Sequence, residues 1–212
     1  MDHATIVNGL LNPDAYPHPV GDIVHLQTHI SSILLTGDRA YKLKKPVDFG
    51  FLDFSTVELR ELNCRREVEL NGRLAPDIYL GVEPVRYDGE HVSIGDGEAE
   101  IVDWVVVMTQ LDNNDLGVAV LERGDLTPSR LDDLVDILVP FYERARRGPD
   151  VDAFGRINAI RFNTEENFVQ TDSYVGKLVS RERFEHIREW TNRFYDEHKE
   201  LFERRISDGR IR

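Results

Sequence analysis

Residues 39–54 read RAYKLKKPVDFGFLDF. Three lysines, Lys42, Lys44 and Lys45, stand inside a short run in which apolar and polar residues alternate. A period of two predicts a β-strand over residues 40–44, and on a strand residues i and i+2 share a face. Ala40, Lys42 and Lys44 therefore point together, while Tyr41 and Lys45 point the other way. A lysine on a sheet face serves solvent or an anion. Its flexible stem and compact charge suit a phosphate. Lys44 shares the face of Lys42 and competes with it for that role, whereas Lys45 reads as solvated.

Upstream of this stretch, residues 23–28 and 33–36 are rich in β-branched and aliphatic residues and read as strands, joined to the lysine strand by the turn TGDR at 36–39. Residues 12–19, NPDAYPHP, are turn-rich, and residues 1–19 read as a surface lead-in. Downstream, Ser55 with Glu58 three residues on gives a capping-box pattern that opens a helix running towards Pro76. Val57, Cys64 and Val68 share one face of that helix, and Leu70 and Leu74 extend it. Glu67 lies at the edge of this face, while its rival Glu69 turns to the far side. An acid at position 67 can reach back and hold a lysine of the preceding strand.

YLGVEPVRY, HVSI and AEIVDWVVVM follow, separated by DGE and GDGE turns, and read as a β-meander. Residues 101–108 are apolar on both faces except at Asp103, the pattern of a central strand. After Asp112 only helices are expected. Thr127 caps one that has Pro128 in its first turn, and Pro140 predicts a kink or break within it. Ser180 opens one long helix over residues 180–206, with Phe184, Ile187, Phe194, Leu201 and Phe202 as its apolar stripe. The fold class is α+β: an antiparallel lobe with one helix over residues 20–112, then a partial helical lobe over residues 113–212.

The 212 residues carry 26 Lys and Arg against 39 Asp and Glu, a formal net charge of −13. So acidic a balance argues against binding nucleic acid or an anionic membrane, and any anionic ligand needs a locally basic site. The single cysteine, Cys64, excludes a disulfide within the chain and a cysteine zinc site, and suits a cytoplasmic setting. No basic region precedes the first apolar run, so no signal peptide is expected, and no apolar run is long enough to span a membrane. His186 and His198 read as surface residues, and His25 and His29 as core or turn residues, so no metal site is expected. Cys64 and Trp104 read as core.

The segment THISSILLTGDRAYKLKKPVDFGFLDFSTVELRELNCRREVELNGRLAPDIYLGVEPV, residues 28–85, resembles the start of the bacterial aminoglycoside phosphotransferase-like, protein-kinase-like family. NTEENFVQTDSYVG and ELFERRISDGRIR continue the likeness more loosely. Members are often two-part proteins, with a kinase-like part followed by a P-loop ATP-binding domain. The resemblance implies that Lys42 contacts the α- and β-phosphates of ATP and that Glu67 pairs with Lys42. The turn over residues 28–32, with His29 and Ser31, would cover the phosphates. Residues 108–111, with Met108 and Gln110, would be the hinge that meets the adenine. Ala40 and Lys44 complete this expected nucleotide site.

Two features depart from the family pattern. The first hairpin lacks G-x-G-x-x-G, and the sequence stops before the family's histidine–glycine–aspartate loop and its magnesium-binding aspartate. Asp48-Phe49-Gly50 spells DFG, but it follows the lysine strand directly and reads as coincidence. Phosphoryl transfer needs a group to orient the attacking hydroxyl and metal ions to neutralise charge. The expectation is therefore a nucleotide-binding portion of a small-molecule phosphotransferase, inactive alone, with no catalytic or metal residues of its own and with Mg2+ only where the remaining part is present. The competing expectation is a non-catalytic, pseudokinase-like interaction or regulatory module, forming a homodimer or pairing with a P-loop ATP-binding domain.

Overall fold

Six antiparallel strands and eight helices make up the chain in the computed structural model, which describes residues 1–212. In chain order they are α1 (His3–Leu10), β1 (Val24–Gln27), β2 (Ser31–Leu35), β3 (Arg39–Lys44), α2 (Val57–Gly72), β4 (Tyr79–Tyr87), β5 (Val92–Ile94), β6 (Glu100–Thr109), α3 (Gly117–Glu122), α4 (Pro128–Arg144), α5 (Pro149–Asp152), α6 (Ile157–Asp172), α7 (Arg181–Glu197) and α8 (Lys199–Ser207). The fold class is α+β. The chain divides into two compact units, Met1–Leu131 and Asp132–Arg212, so α3 and the first turn of α4 belong with the sheet.

The six strands form one sheet in the order β1-β2-β3-β6-β4-β5. β6 is last in sequence but lies between β3 and β4, because α2 crosses over and sends the chain back as β4 on the far side of the place β6 will take. The lysine strand is therefore internal. Its register sets Lys42 opposite Ile33 and Val106, Ala40 opposite Leu35 and Met108, and Lys44 opposite Ser31. Directly opposed residues of an antiparallel pair point to the same face. One face of β3 thus carries Ala40, Lys42 and Lys44, and the other carries Tyr41 and Leu43, both fully buried.

That second face is covered by the N-terminal segment, which is not the surface lead-in expected from its turn residues. Ile6, Val7 and Leu10 of α1, with Ala15 and Tyr16 after it, join Leu34, Tyr41, Leu43, Val85, Val105 and Val107 in one core cluster. Asp2 caps α1 by accepting from Thr5 N, and spacing of i, i+1, i+4 puts Ile6, Val7 and Leu10 on one stripe. Pro13–Ala15 is a single 3-10 turn that brings Tyr16 back over the sheet, where its hydroxyl donates to Leu10 O at 2.6 Å. The turn chemistry was legible; that the turn is folded onto apolar strands was not.

α2 starts one residue later than the capping pattern suggests. Thr56 is the N-cap, its hydroxyl accepting from Leu59 N at 3.3 Å. Its buried side chains are Arg60 and Cys64, with Glu67 nearly covered on the same stripe. Leu70 and Leu74 do not extend this face and are exposed. Leu70 is six residues from Cys64, about 120° around the helix, and Leu74 lies beyond the last helical residue, Gly72.

In the second unit, α6 packs against α7. Phe168 meets Phe184 edge-on, Thr164 Oγ1 lies 3.1 Å from the Tyr195 hydroxyl, and Arg161 reaches Asn192 O and Asp196. Ser180 caps α7 as its sequence indicates. The single helix expected over residues 180–206 is instead two, broken at His198. The Phe194 carbonyl is approached there by both the backbone N–H and ring Nδ1 of His198, at 3.1 and 2.9 Å, and the imidazole stacks on the Phe194 ring. α4, by contrast, runs past Pro140 to Arg144 without a break. The helix is exposed, so water can satisfy the carbonyl that Pro140 leaves without a donor.

Candidate functional site

The face of β3 that carries Ala40, Lys42 and Lys44 is the face on which α2 packs. Lys42 Nζ donates to Glu67 Oε1 at 2.7 Å, and Lys44 Nζ donates to Glu67 Oε2 at 2.5 Å. One carboxylate is thus held by two lysines, with one oxygen for each. The strand supplies the spacing, since i and i+2 rise on one side, and the helix supplies the acid in its third turn. Sequence reasoning treated the lysines as alternatives; the structure uses both.

The three side chains differ in access to water. Lys44 is 4% exposed, Glu67 13% and Lys42 25%. The ammonium of Lys44 also sits 4.8 Å from the centre of the Phe54 ring. Burial alone would raise the pKa of Glu67, but the hydrogen bonds from Lys42 and Lys44 and their charges outweigh it and hold the carboxyl below its usual range. The carboxylate is ionised, and the centre carries one surplus positive charge.

Beside Lys42 the sheet face is apolar and open. Leu26 stands opposite Ile33, and Val24 opposite Leu35, with Ala40 and Met108 continuing the same face towards the end of β6. Val24 and Leu26 are exposed, Ile33, Leu35 and Met108 are partly so, and Ala40 is buried. An apolar strip thus runs up to a cation with access to solvent.

The other expected residues are placed differently. His29 is exposed at the tip of the β1–β2 turn, which Thr28 closes by accepting from Ile30 N and Ser31 N. Lys45 is not simply solvated: its Nζ donates to Thr28 O at 2.7 Å and to Gln27 Oε1 at 3.1 Å and so braces this turn. Ser31 is fully buried opposite Lys44, and its hydroxyl has no partner. Gln110 is tied to the β2–β3 turn, its backbone N–H donating to Asp38 O and its side-chain oxygen accepting from Gly37 N. Asp48 accepts from Gly50 N within an exposed loop whose tip carries the stacked, exposed rings of Phe49 and Phe51, so DFG here forms a turn. No group of three or more His, Cys, Asp or Glu side chains is arranged to hold a metal ion.

Reasoning from sequence missed a second buried ion pair. Arg60, on the sheet-facing stripe of α2, bonds both oxygens of Asp103 and also donates to Phe54 O. The signal was present: Asp103 is the one charge inside an apolar strand, and Arg60 is one helical turn before Cys64. Two histidines also have unforeseen partners. His3 Nε2 lies 3.0 Å from Ser32 Oγ, and His18 Nε2 lies 2.9 Å from the Tyr41 hydroxyl. Cys64 is buried, as expected, and burial pushes its thiol up to about 12.

The fold and site together define an α+β chain whose sheet lobe holds a two-lysine, one-glutamate centre next to an open apolar strip. No family profile matches the chain, and no solved structure matches it. It is 34% identical over 197 residues to proteins of Mycobacterium tuberculosis and Mycobacterium bovis, each described as uncharacterized. The match covers 92% of this chain and 38% of each relative. The chain thus spans well under half the length of the curated relatives it matches. No helix is long and apolar enough to cross a membrane.

Proposed function

We propose that this chain binds a nucleotide, with ATP as the expected ligand, on the sheet face beside Lys42, where β1 leaves Val24 and Leu26 exposed. The observation that carries the reading is the contact between Lys42 and Glu67, 2.7 Å from strand to helix, at the end of an apolar strip. A purine base has a flat apolar face and a phosphate tail. The strip formed by Val24, Leu26, Ile33, Leu35, Ala40 and Met108 suits the first, and the partly exposed ammonium of Lys42 suits the second. The same order of elements, with a lysine strand, a helix bearing the acid and a later strand returning beside the first, supports a kinase-like lobe of a small-molecule phosphotransferase. A small-molecule acceptor and a cytoplasmic setting go with that reading. The test is titration of the 212-residue chain with ATP. Saturable binding that weakens in Lys42→Met supports the reading, and absence of binding to the unmodified chain ends it.

A second reading, a non-catalytic interaction module, is favoured by α4. None of its residues is buried, and Leu131, Leu134, Val135, Ile137, Leu138, Val139 and Tyr142 are exposed. Exposed apolar surface on this scale marks contact with other protein. Sedimentation equilibrium tests it: a strictly monomeric chain that also resists aggregation counts against this reading.

A further inference from the structure

We propose that the cleft between α4 and the segment after α8 binds a small organic phosphate, held by Arg205, Arg210 and Arg212. All of its lining residues belong to the second unit, so the inference is independent of the nucleotide reading of the sheet face.

The cleft has a volume of about 510 Å3 and is lined by Val139, Tyr142 and Glu143 of α4 and by the three arginines. Local geometry gathers those arginines. α8 ends at Ser207, and the chain reverses at Gly209, whose φ of 61° glycine adopts without strain. The Gly209 N–H donates to Ile206 O at 2.9 Å and the Arg210 N–H to Arg205 O at 2.8 Å, the paired bonds of a Schellman turn, so Arg210 comes back beside Arg205. Ile211 packs against Gly155, where a Cβ would lie 2.4 Å from Ile211 Cγ1, and this contact pins the segment that carries Arg210 and Arg212. Arg212 Nε donates to Gly209 O at 3.2 Å, which leaves its Nη groups for a ligand. Three guanidinium groups thus line one cleft with one carboxylate side chain, Glu143, and none of the four takes part in an ion pair. A cation near a helix C-terminus offsets the helix dipole, which accounts for Arg205, but Arg210 and Arg212 lie past the end of α8. Like charges brought together repel, and a shared anion offsets that cost. In a chain of net charge −13 this is a locally basic site of the kind an anionic ligand needs. Guanidinium forks match phosphate oxygens two at a time. The volume is that of a small-molecule site. Tyr142 and Val139 are exposed in it and offer apolar surface to an organic group, which favours a phosphate ester over free phosphate.

The experiment is NMR titration of the full 212-residue chain with phenyl phosphate and with inorganic phosphate, at constant ionic strength so that general screening does not change. Both probes should saturate, the ester binding about threefold or more tightly than the free ion. Arg205→Gln and Arg210→Gln should each weaken both probes by about tenfold or more. Both arginines are exposed, so these variants leave the packing of the unit intact. Arg193→Gln removes the same charge from an exposed position on α7 outside the cleft, and should change neither affinity by more than about twofold. Tyr142→Ala should abolish the advantage of the ester and leave inorganic phosphate bound as before. Failure of the probes to saturate, a loss in Arg193→Gln equal to that in Arg205→Gln, or equal affinity of the unmodified chain for the two probes each overturns the proposal. Neither probe carries a base, so these outcomes are distinct from the outcome of the ATP titration.

Discussion

Arg60 of α2 and Asp103 of β6 form a buried ion pair, the Arg60 Nε donating to both carboxylate oxygens at 2.8 and 3.0 Å. The β3–β6 ladder ends at Leu43 and Val105, and the pair fills the region just past that end. Arg60 also donates to Phe54 O, and Asp103 Oδ1 accepts from Trp104 N, so the pair ties helix, loop and central strand together. Removing either partner strands the other charge. Arg60→Ala or Asp103→Ala should each cost about 3–5 kcal/mol in urea unfolding. Replacing both with apolar residues of similar volume should recover much of that loss. If the two single variants unfold at the midpoint of the unmodified protein, this account of the pair is wrong.

Lys42 is the residue on which the nucleotide reading depends. On that reading Lys42→Met removes one charged hydrogen bond to a phosphate and should weaken ATP binding by about 10- to 100-fold. Adenosine should bind as before. Because Glu67 retains Lys44, the variant should also keep its thermal midpoint within a few degrees. A fall in adenosine affinity would show that the lysine shapes the apolar strip rather than meeting a phosphate.

Two part-buried groups, Glu67 and His3, contribute to the pH dependence with the same sign. The folded-state pKa of Glu67 lies below its usual 4.5, so the unfolded chain takes up a proton first as pH falls. The stabilisation is complete above about 4.5 and is lost as pH drops below that value towards the folded pKa. His3, whose pKa burial lowers from 6.5, acts in the same direction at higher pH: the unfolded chain protonates first below 6.5, and stability declines from there. Urea midpoints should therefore fall in two stages on acidification. His3→Gln should remove the upper stage and Glu67→Gln should reduce the lower one, to which the exposed carboxyls of Asp2, Asp53, Glu58 and Asp88, also held below their usual range, add. An upper stage that persists in His3→Gln would show that another group causes it.

Burial raises the thiol pKa of Cys64 from 9.0 to about 12, and its sulfur faces the Trp104 carbonyl. The thiolate is the reactive form, so alkylation at pH 8 should run on the order of a thousandfold slower in the folded chain than in urea. Rapid labelling of the native protein by iodoacetamide would contradict this placement.

Gly9 sits in α1 where its missing side chain makes room for β5. A Cβ there would lie 2.5 Å from Val92 Cγ2 and 2.6 Å from Val92 Cβ. Gly9→Ala should therefore destabilise by about 1–3 kcal/mol despite its better helix propensity. The companion Val92→Gly removes both close atoms and should make the double variant more stable than the sum of its parts. A stabilised Gly9→Ala would place α1 away from β5.

Much of the sheet lobe was legible because its signals are local. Alternation placed β3, β-branched and aliphatic content placed β2, an apolar run placed β6, turn residues separated the meander strands, and Thr127 with Pro128 and Ser180 marked two helix starts. The errors share one cause. The N-terminal segment, the stripe of α2 and the break at His198 depend on what the element packs against or on a competing side-chain bond. Neither is written in the periodicity of the element itself. Leu70 and Leu74 look like core by composition, yet the face of α2 that meets the sheet is set by Arg60 and Cys64, with Glu67 beside them, since those are the residues with partners waiting on β3 and β6.

The candidate site shows the same division. Strand geometry put Lys42 and Lys44 on one face, and helix spacing put Glu67 within reach, from the residues alone. That Glu67 holds both lysines, that Lys44 is shut in while Lys42 is open to water, and that Ser31 and Gln110 face the protein's own interior and turns came only from the tertiary structure. The physical reason is that a periodic pattern fixes direction within one element, whereas access and partnership depend on how separate elements close on one another. The sequence of this protein determined which way its lysines point; the packing of α2 and β2 against β3 decided which of them keeps access to water.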